Sequence, residues 1–185
     1  MIQQLTKQES KKQGLNINIQ PPSEPFKHKN TVEPKITLNQ SSPSIEYNKS
    51  NKAHSIKIKG SLSEPLTIKI EAEKGIVNLN LEISIEKNSQ ASIIIKRFCK
   101  SVSYNENLGI SVQDSSQINL TTINDFDNES IVNQIKTTTL KKDSSIKQTD
   151  LIYNGKYFKE FLVNKLSGKG ANSKTFIIYL AKDEQ

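Results

Sequence analysis

Short polar breaks recur along this chain at almost constant spacing, each between stretches of alternating apolar residues, and that regularity most limits what it can fold into. The breaks are Gly60-Ser61-Leu62-Ser63, Glu86-Lys87-Asn88-Ser89, Asp114-Ser115-Ser116-Gln117, Lys141-Lys142-Asp143-Ser144-Ser145 and Ser167-Gly168-Lys169-Gly170. With Ser61, Asn88, Ser116, Ser144 and Gly170 as markers, the steps are 27, 28, 28 and 26 residues, in the range of solenoid repeats. Asn, Asp, Ser and Gly suit tight bends because they hydrogen-bond locally or tolerate positive φ.

Between the breaks the apolar residues fall on alternate positions, the period of a strand with one buried face. Ile56 and Ile58 begin the pattern, followed by Leu66, Ile68 and Ile70, then Leu79, Leu81, Ile83 and Ile85. It continues at Ala91, Ile93 and Ile95, at Ile110 and Val112, at Ile118 and Leu120, and through Phe161, Val163, Phe176 and Ile178. No segment carries a convincing helical stripe; Glu129 to Ile135, the nearest approach, lies among β-branched residues. In a parallel β-helix the inward residues of successive coils stack in columns. Ile85, Ala91 and Ile93, then Val112 and Ile118, then Ile146 would form such columns. A β-sandwich, with turns every 8 to 12 residues or so, remains the alternative from pattern alone.

The composition fits strands with a single buried face. Only 34 % of the residues are hydrophobic, 24 % are charged, and the mean hydropathy is −0.58. The first 34 residues, with Gln/Lys-rich and Pro-broken stretches and a short alternation at Leu15 to Ile19, read as a disordered or irregular arm; 35–185 reads as the β-helical segment. Thr31 to Lys52 reads as an irregular lead-in. No apolar run approaches the roughly 18 to 20 residues that span a bilayer. The single cysteine excludes an intramolecular disulfide and implies a reducing compartment, so the expected location is the cytoplasm.

The charge balance of +7 would permit contact with nucleic acid. Almost all of it is scattered Lys, however, and Arg97 is the sole arginine. Bidentate readout of bases and phosphates relies on Arg, so nucleic-acid binding is not expected.

Few residues invite a chemical role. Cys99 sits among Lys96, Arg97 and Lys100, cations that would favour a thiolate if the site were accessible. With no second Cys or neighbouring His, it reads as a small residue at a strand end. His28 and His54 read as solvated loop residues, and Asp125, Asp127 and Glu129 as a polar loop lacking the Gly and final Glu of a calcium-binding loop. Gly168-Lys169-Gly170 lacks the longer loop and following helix of a phosphate-binding Walker motif and fits a strand bend. Outward positions hold mainly Lys, Asn, Ser and Thr, not the converging carboxylates of a polysaccharide-cleaving β-helix. The residues name no catalytic and no metal-binding group, and leave any cofactor site unknown. A β-helical carbohydrate-active protein and a basic binding module of unknown ligand are the alternative function classes.

Three segments carry a family resemblance. NLNLEISIEKNSQASIII, Asn78 to Ile95, resembles the strand-turn-strand of the SufB/SufD scaffold proteins of iron-sulfur cluster assembly, L-x-I-x-L-x-E-N-A-x-A-x-I. NLGISVQDSSQINL, Asn107 to Leu120, is similar to the next coil. The segment from Thr137 to Gln185 is similar to the one after, with Gly155, then Leu166, Gly168, Gly170 and Ala171, then Phe176 to Gln185 in the family's order. The ordered match runs from Ile56 to Gln185, and SufD is the nearer in texture.

The resemblance implies an all-β fold, a right-handed parallel β-helix present in part. It also implies a non-catalytic, SufD-like scaffold subunit or fragment, acting with a SufB-like partner and SufC, an ABC-type ATPase. The chain alone would bind no cofactor, an iron-sulfur cluster belonging to the complex. Family members continue for further coils and a helical region that docks the ATPase, so the chain reads as truncated. The family's functional His and Cys lie in that further part, and none transfers to a residue here. The β-prone run Phe176 to Leu180 would then be an open end, able to pair with another copy or a SufB-like subunit.

Overall fold

A computed structural model describes residues 30–50 and 53–180, all strand, turn and bend with no helix. The ten strands are β1 (Lys35–Leu38), β2 (Ile45–Lys49), β3 (His54–Ile58), β4 (Leu66–Ile85), β5 (Gln90–Val112), β6 (Gln117–Phe126), β7 (Ile131–Leu140), β8 (Ser145–Tyr153), β9 (Tyr157–Leu166) and β10 (Asn172–Leu180). From β3 onward every pairing is parallel, and each residue meets the one a coil further on: Leu66 with Ile93, Gln90 with Gln117, Ser103 with Ile131, Ser145 with Asn172. The solenoid expected from the spacing is present, with about five turns.

Each coil has two faces joined by bends. One face stacks the first half of β4, the first half of β5, β6, β8 and β10. The other stacks β3 and the second halves of β4 and β5, followed by β7 and β9. The inward side chains of the two faces meet to form the core, since strict alternation gives each strand one face to bury. The predicted columns are there: Ile85 stacks with Val112 and Leu140, Ala91 with Ile118 and Ile146, all buried.

The bends repeat as closely as the strands. Asn88, Ser115, Asp143 and Gly170 occupy one position in successive coils, with φ of 57°, 57°, 53° and 78°, the left-handed region that Asn, Asp and Gly tolerate best. The next position holds Ser89, Ser116 and Ser144, all fully buried. Their hydroxyls bond to the backbone of the bends and so satisfy groups that the strand ladders leave over. Ser116 Oγ donates to the Glu86 carbonyl at 2.6 Å and accepts from Ser89 N at 3.1 Å, while Ser89 Oγ accepts from Gly60 N at 2.9 Å.

The glycines of the last bend are structural. A Cβ on Gly168 would lie 2.2 Å from Lys142 N, so this bend rests directly on the backbone of the one before it. Gly168→Ala is therefore expected to cost about 1–3 kcal/mol, as overpacking against backbone that cannot move aside does. A lowered urea midpoint at unchanged slope would show it, and an unchanged midpoint would mean that the bends are not in contact.

Two antiparallel pairings close the N-terminal end. β1 runs along β4, with Ile36 opposite Ile70, and β2 along β3, with Tyr47 opposite Ile56. Val32, Ile36, Leu38 and Ile45 pack over the first coil. The stretch expected to be irregular thus carries two strands, because an open coil end presents unpaired backbone and an apolar cross-section that a short strand can cover. The Leu15 to Ile19 alternation and His28 lie outside the described residues. On the outer surface Asn78, Asn105 and Asn133 form an amide ladder, with steps of 3.1 and 3.3 Å.

Candidate functional site

The interior changes character along the solenoid axis. In the first coils its columns are Leu66, Ile68 and Ile70 on one face and Leu79, Leu81 and Ile83 on the other. The register carries Ile70 up to Arg97 and Asn124, Ile68 up to Ile95, Thr122 and Asp150, and Leu66 up to Ile93, Leu120 and Gln148. On the opposite face Leu79 leads to Glu106, Gln134 and Glu160, and Leu81 leads to Leu108, Lys136 and Leu162. Charged and amide side chains thus enter at fixed column heights, on positions where alternation points them inward.

Arg97 and Glu106 meet across the core, both side chains 1 % exposed. The guanidinium is bidentate on the carboxylate, Nε to Oε2 at 2.7 Å and Nη2 to Oε1 at 2.8 Å, and Nη1 donates to Asn124 Oδ1 at 3.1 Å. Gln134 Nε2 donates to Glu106 Oε2 at 3.1 Å. Burial works against the charge of Arg97, but the Glu106 carboxylate outweighs it and holds the guanidinium firmly protonated. The Tyr104 phenol, wholly buried here, is pushed well above its usual range by desolvation and then by Glu106.

A second charged group lies one coil on. Lys136 Nζ donates to Asp150 Oδ1 at 2.7 Å and lies 3.0 Å from Glu160 Oε1, near enough for an ion pair though not aligned for a hydrogen bond. Thr122 Oγ1 also donates to Asp150 Oδ1, and Gln148 Nε2 donates to Thr138 Oγ1 at 3.0 Å. Asp150 Oδ2, both Glu160 oxygens, Ser173 Oγ and Thr175 Oγ1 are buried without a hydrogen-bond partner. These residues, strung along the inner columns of the last coils, form the candidate site.

Of the residues singled out from sequence, Cys99 is the one that borders this interior. It is 1 % exposed, and its thiol is pushed up to about 12, first by burial, with Arg97 acting weakly in the opposite direction. Lys96 and Lys100 lie on the outward face of β5, so the flanking cations do not activate it. A thiol whose folded pKa is raised adds stability that is fully present below its unfolded value and is lost as pH rises through the folded one. The chain is therefore expected to lose stability progressively from about pH 9 to pH 12, by up to roughly 4 kcal/mol at one pKa unit per 1.4 kcal/mol. Chemical denaturation across that range should show the loss and show it reduced in Cys99→Ala, while Tyr104 leaves a remainder above pH 10 or so. An unchanged slope in Cys99→Ala would contradict the burial argument.

The other candidates are dispersed. Asp127 sits at a bend, where its carboxylate accepts from Ser101 N at 2.9 Å and from Ser130 Oγ at 2.6 Å. Burial pulls its pKa up, but these donors outweigh it and hold it below the usual value. Asp125 and Glu129 are exposed, so the three carboxylates do not converge. His54 is not a solvated loop residue: it opens β3, is 8 % exposed, and its Nδ1 lies 2.8 Å from the Tyr47 hydroxyl. It shares the inward phase of Ile56 and Ile58, and the antiparallel β2 covers it. Among the described residues no group of three or more His, Cys, Asp or Glu is placed to hold a metal ion. Nor does any helix there have the length and apolarity to cross a membrane.

The coils that carry this interior coincide with a family model. Residues 68–185, well over half of the chain, match the SufBD core domain of the SUF system of iron-sulfur cluster assembly. The chain belongs to the SufB/SufD family. The resemblance noted in the sequence thus holds at family level, and this SufBD core domain has a role in iron-sulfur cluster assembly. Comparison with curated proteins and with solved structures gave no match.

Sequence reasoning missed Arg97, Glu106, Lys136, Asp150 and Glu160 as interior residues of the SufBD core. The signal that could have found them was phase: Arg97 follows Ile93 and Ile95 on the same alternation, and Glu106 precedes Leu108 and Ile110 on the other face.

Proposed function

We propose that the chain is a SufD-like scaffold subunit of iron-sulfur cluster assembly, working in the cytoplasm with a SufB-like partner and an ABC-type ATPase of the SufC kind, and without catalysis of its own. The observation that carries this reading is the SufBD core match over residues 68–185, which takes in the stacked strands from β4 to β10. The chemistry of the side chains supports it. The thiol is buried and held protonated, so it is poorly suited to take sulfur or iron from solution. The buried charges are held in ion pairs, Arg97 with Glu106 across one coil and Lys136 with Asp150 and Glu160 of the next. In this reading the cluster is cargo of the assembly, and the chain contributes a rigid stack of strands on which partners dock.

Affinity purification of the full chain from its host, followed by identification of what travels with it, tests the proposal. Recovery of an ABC-type ATPase together with a second SufB/SufD-family chain is the expected result. Recovery of polysaccharide or nucleic acid in their place would overturn it in favour of the alternative classes. The complex carrying Cys99→Ala is expected to assemble clusters at the normal rate.

A further inference from the structure

The two outer faces of the solenoid differ. Where the second halves of β4 and β5 stack, the outward side chains form polar ladders, Asn107 Nδ2 donating to Asn80 Oδ1 at 3.0 Å and Ser111 Oγ to Ser84 Oγ at 3.2 Å. On the other face an apolar row crosses the strands. The register sets Ile123 of β6 beside Leu151 of β8, and Ile178 of β10 continues the row. Ile123 and Leu151 point outward, out of phase with the buried positions of their strands. Phe98 of β5, 38 % exposed, and Tyr153 lie in the adjacent row with Asp125 between them. Contiguous apolar side chains on an outer face mark an interaction surface.

The strands beneath restrict what can bind. β6 pairs with β5 and β8, and β8 with β6 and β10, so the backbone under Ile123 and Leu151 has no free edge. A partner engages here through side chains alone, which excludes strand addition. Neighbouring strands set the row's side chains about 4.8 Å apart, close to the rise of about 5.4 Å per turn of an α-helix. A helix lying along the solenoid axis would bring one apolar side chain to each coil.

The surrounding charge selects the partner. Lys96 heads the row, next to Ile123, while Lys147 and Lys174 pair along one flank. Lys147 Nζ leans toward the row, 5.9 Å from the centre of the Phe176 ring. Among the described residues none of these three lysines is in an ion pair. Asp125, on the opposite flank, is the one carboxylate set against them, since Glu71 is paired with Lys69. A second copy of the chain, at net +7, has the wrong sign to complement this face, and so do residues 1–29, with five lysines against two glutamates.

We propose that this face docks an amphipathic helix of a different protein, its apolar stripe on Ile123, Leu151 and Ile178 and its carboxylates on the side of Lys96, Lys147 and Lys174. A photo-reactive phenylalanine analogue at Leu151 of the full chain, expressed in its host, tests this, with the same analogue at Asn107 on the opposite outer face as control. The expected result is a light-dependent adduct at Leu151 alone, joined to a segment of another protein with apolar residues three and four apart and carboxylates on one flank. Its yield should fall about tenfold when Lys96→Glu, Lys147→Glu and Lys174→Glu are combined, exposed ion pairs being worth up to about 1 kcal/mol each. An adduct to a second copy, to residues 1–29, to lipid or to a basic segment would overturn the proposal. So would no adduct, an equal adduct at Asn107, or a yield that survives the charge reversal. The analogue at Ile123 gives the same reading if the Leu151 substitution disturbs its strand. The readout concerns this face alone, so it can fail while the co-purification succeeds, and the reverse.

Discussion

Replacing Arg97 with isoleucine is expected to destabilise the chain by about 3–5 kcal/mol, while the pair Arg97→Ile and Glu106→Leu should recover most of that loss. The single change strands Glu106, 1 % exposed, without its bidentate partner, and an uncompensated buried charge is among the most damaging defects a core can hold. The double change continues columns already present one coil below, where Ile70 lies under Arg97 and Leu79 under Glu106. It removes both charges and leaves side chains the neighbouring coil already accommodates. A residual cost of about 1–3 kcal/mol is expected, because Asn124 and Gln134 lose the partners they now reach at 3.1 Å. A double-mutant cycle read by urea denaturation isolates the coupling. A single mutant within about 1 kcal/mol of wild type would show that Glu106 finds other compensation. Double-mutant loss equal to the sum of the singles would show that the ion pair is not what holds this layer.

The contrast between the two halves of the interior explains how much of the fold could be read from sequence. The bends at 88, 115, 143 and 170 were legible because that backbone position takes a left-handed φ in each successive coil, which favours the Asn, Asp and Gly found at three of them. The first coils were legible because Ile and Leu on alternate positions have no sensible place but the core. Arg97, Glu106, Lys136, Asp150 and Glu160 were opaque because the same residue types are usually solvated, and composition outweighed phase in reading them. Phase was the better guide, since a one-residue shift would turn every side chain of a strand to the other face. Cys99 illustrates the point within a single strand. Lys96 and Lys100, which seemed to surround it, point outward, while Arg97 points inward beside it and is itself paired to Glu106. His54 was misread for the same reason, its Asn and Lys neighbours concealing a position in phase with Ile56 and Ile58. The antiparallel β1 and β2 were hidden because they are short and flanked by Pro and Ser, and their role as covers over the first coil depends on long-range pairing that local pattern does not carry.

Lys136→Met is expected to be as damaging as the Arg97 change but to act locally, opening the last coils before the rest. Among the described residues Lys136 is the one cation paired with Asp150 and Glu160, and its side chain is 2 % exposed. Methionine matches its length and leaves two buried carboxylates together without a counter-charge, a loss again of about 3–5 kcal/mol. In a solenoid each coil touches only its neighbours, so the damage falls first on the strands the ion pair joins. Those strands are β7, β8 and β9, and among the described residues β10 pairs with β8. The first coils, with apolar columns and a cover of antiparallel strands, should be untouched. Native-state amide exchange separates this from uniform weakening. Amides of Ile146 to Ile152 and Phe158 to Leu162 should exchange about a hundredfold or more faster, at tenfold per 1.4 kcal/mol, with those of Ile68 to Ile83 unchanged. Lys136→Met combined with Asp150→Asn, which removes one of the stranded charges, should restore part of the protection. Equal acceleration in every coil would mean that the solenoid unfolds as one unit and that the ion pair contributes to global stability alone. Unchanged exchange at Ile146 to Ile152 would mean that Asp150 and Glu160 do not depend on Lys136.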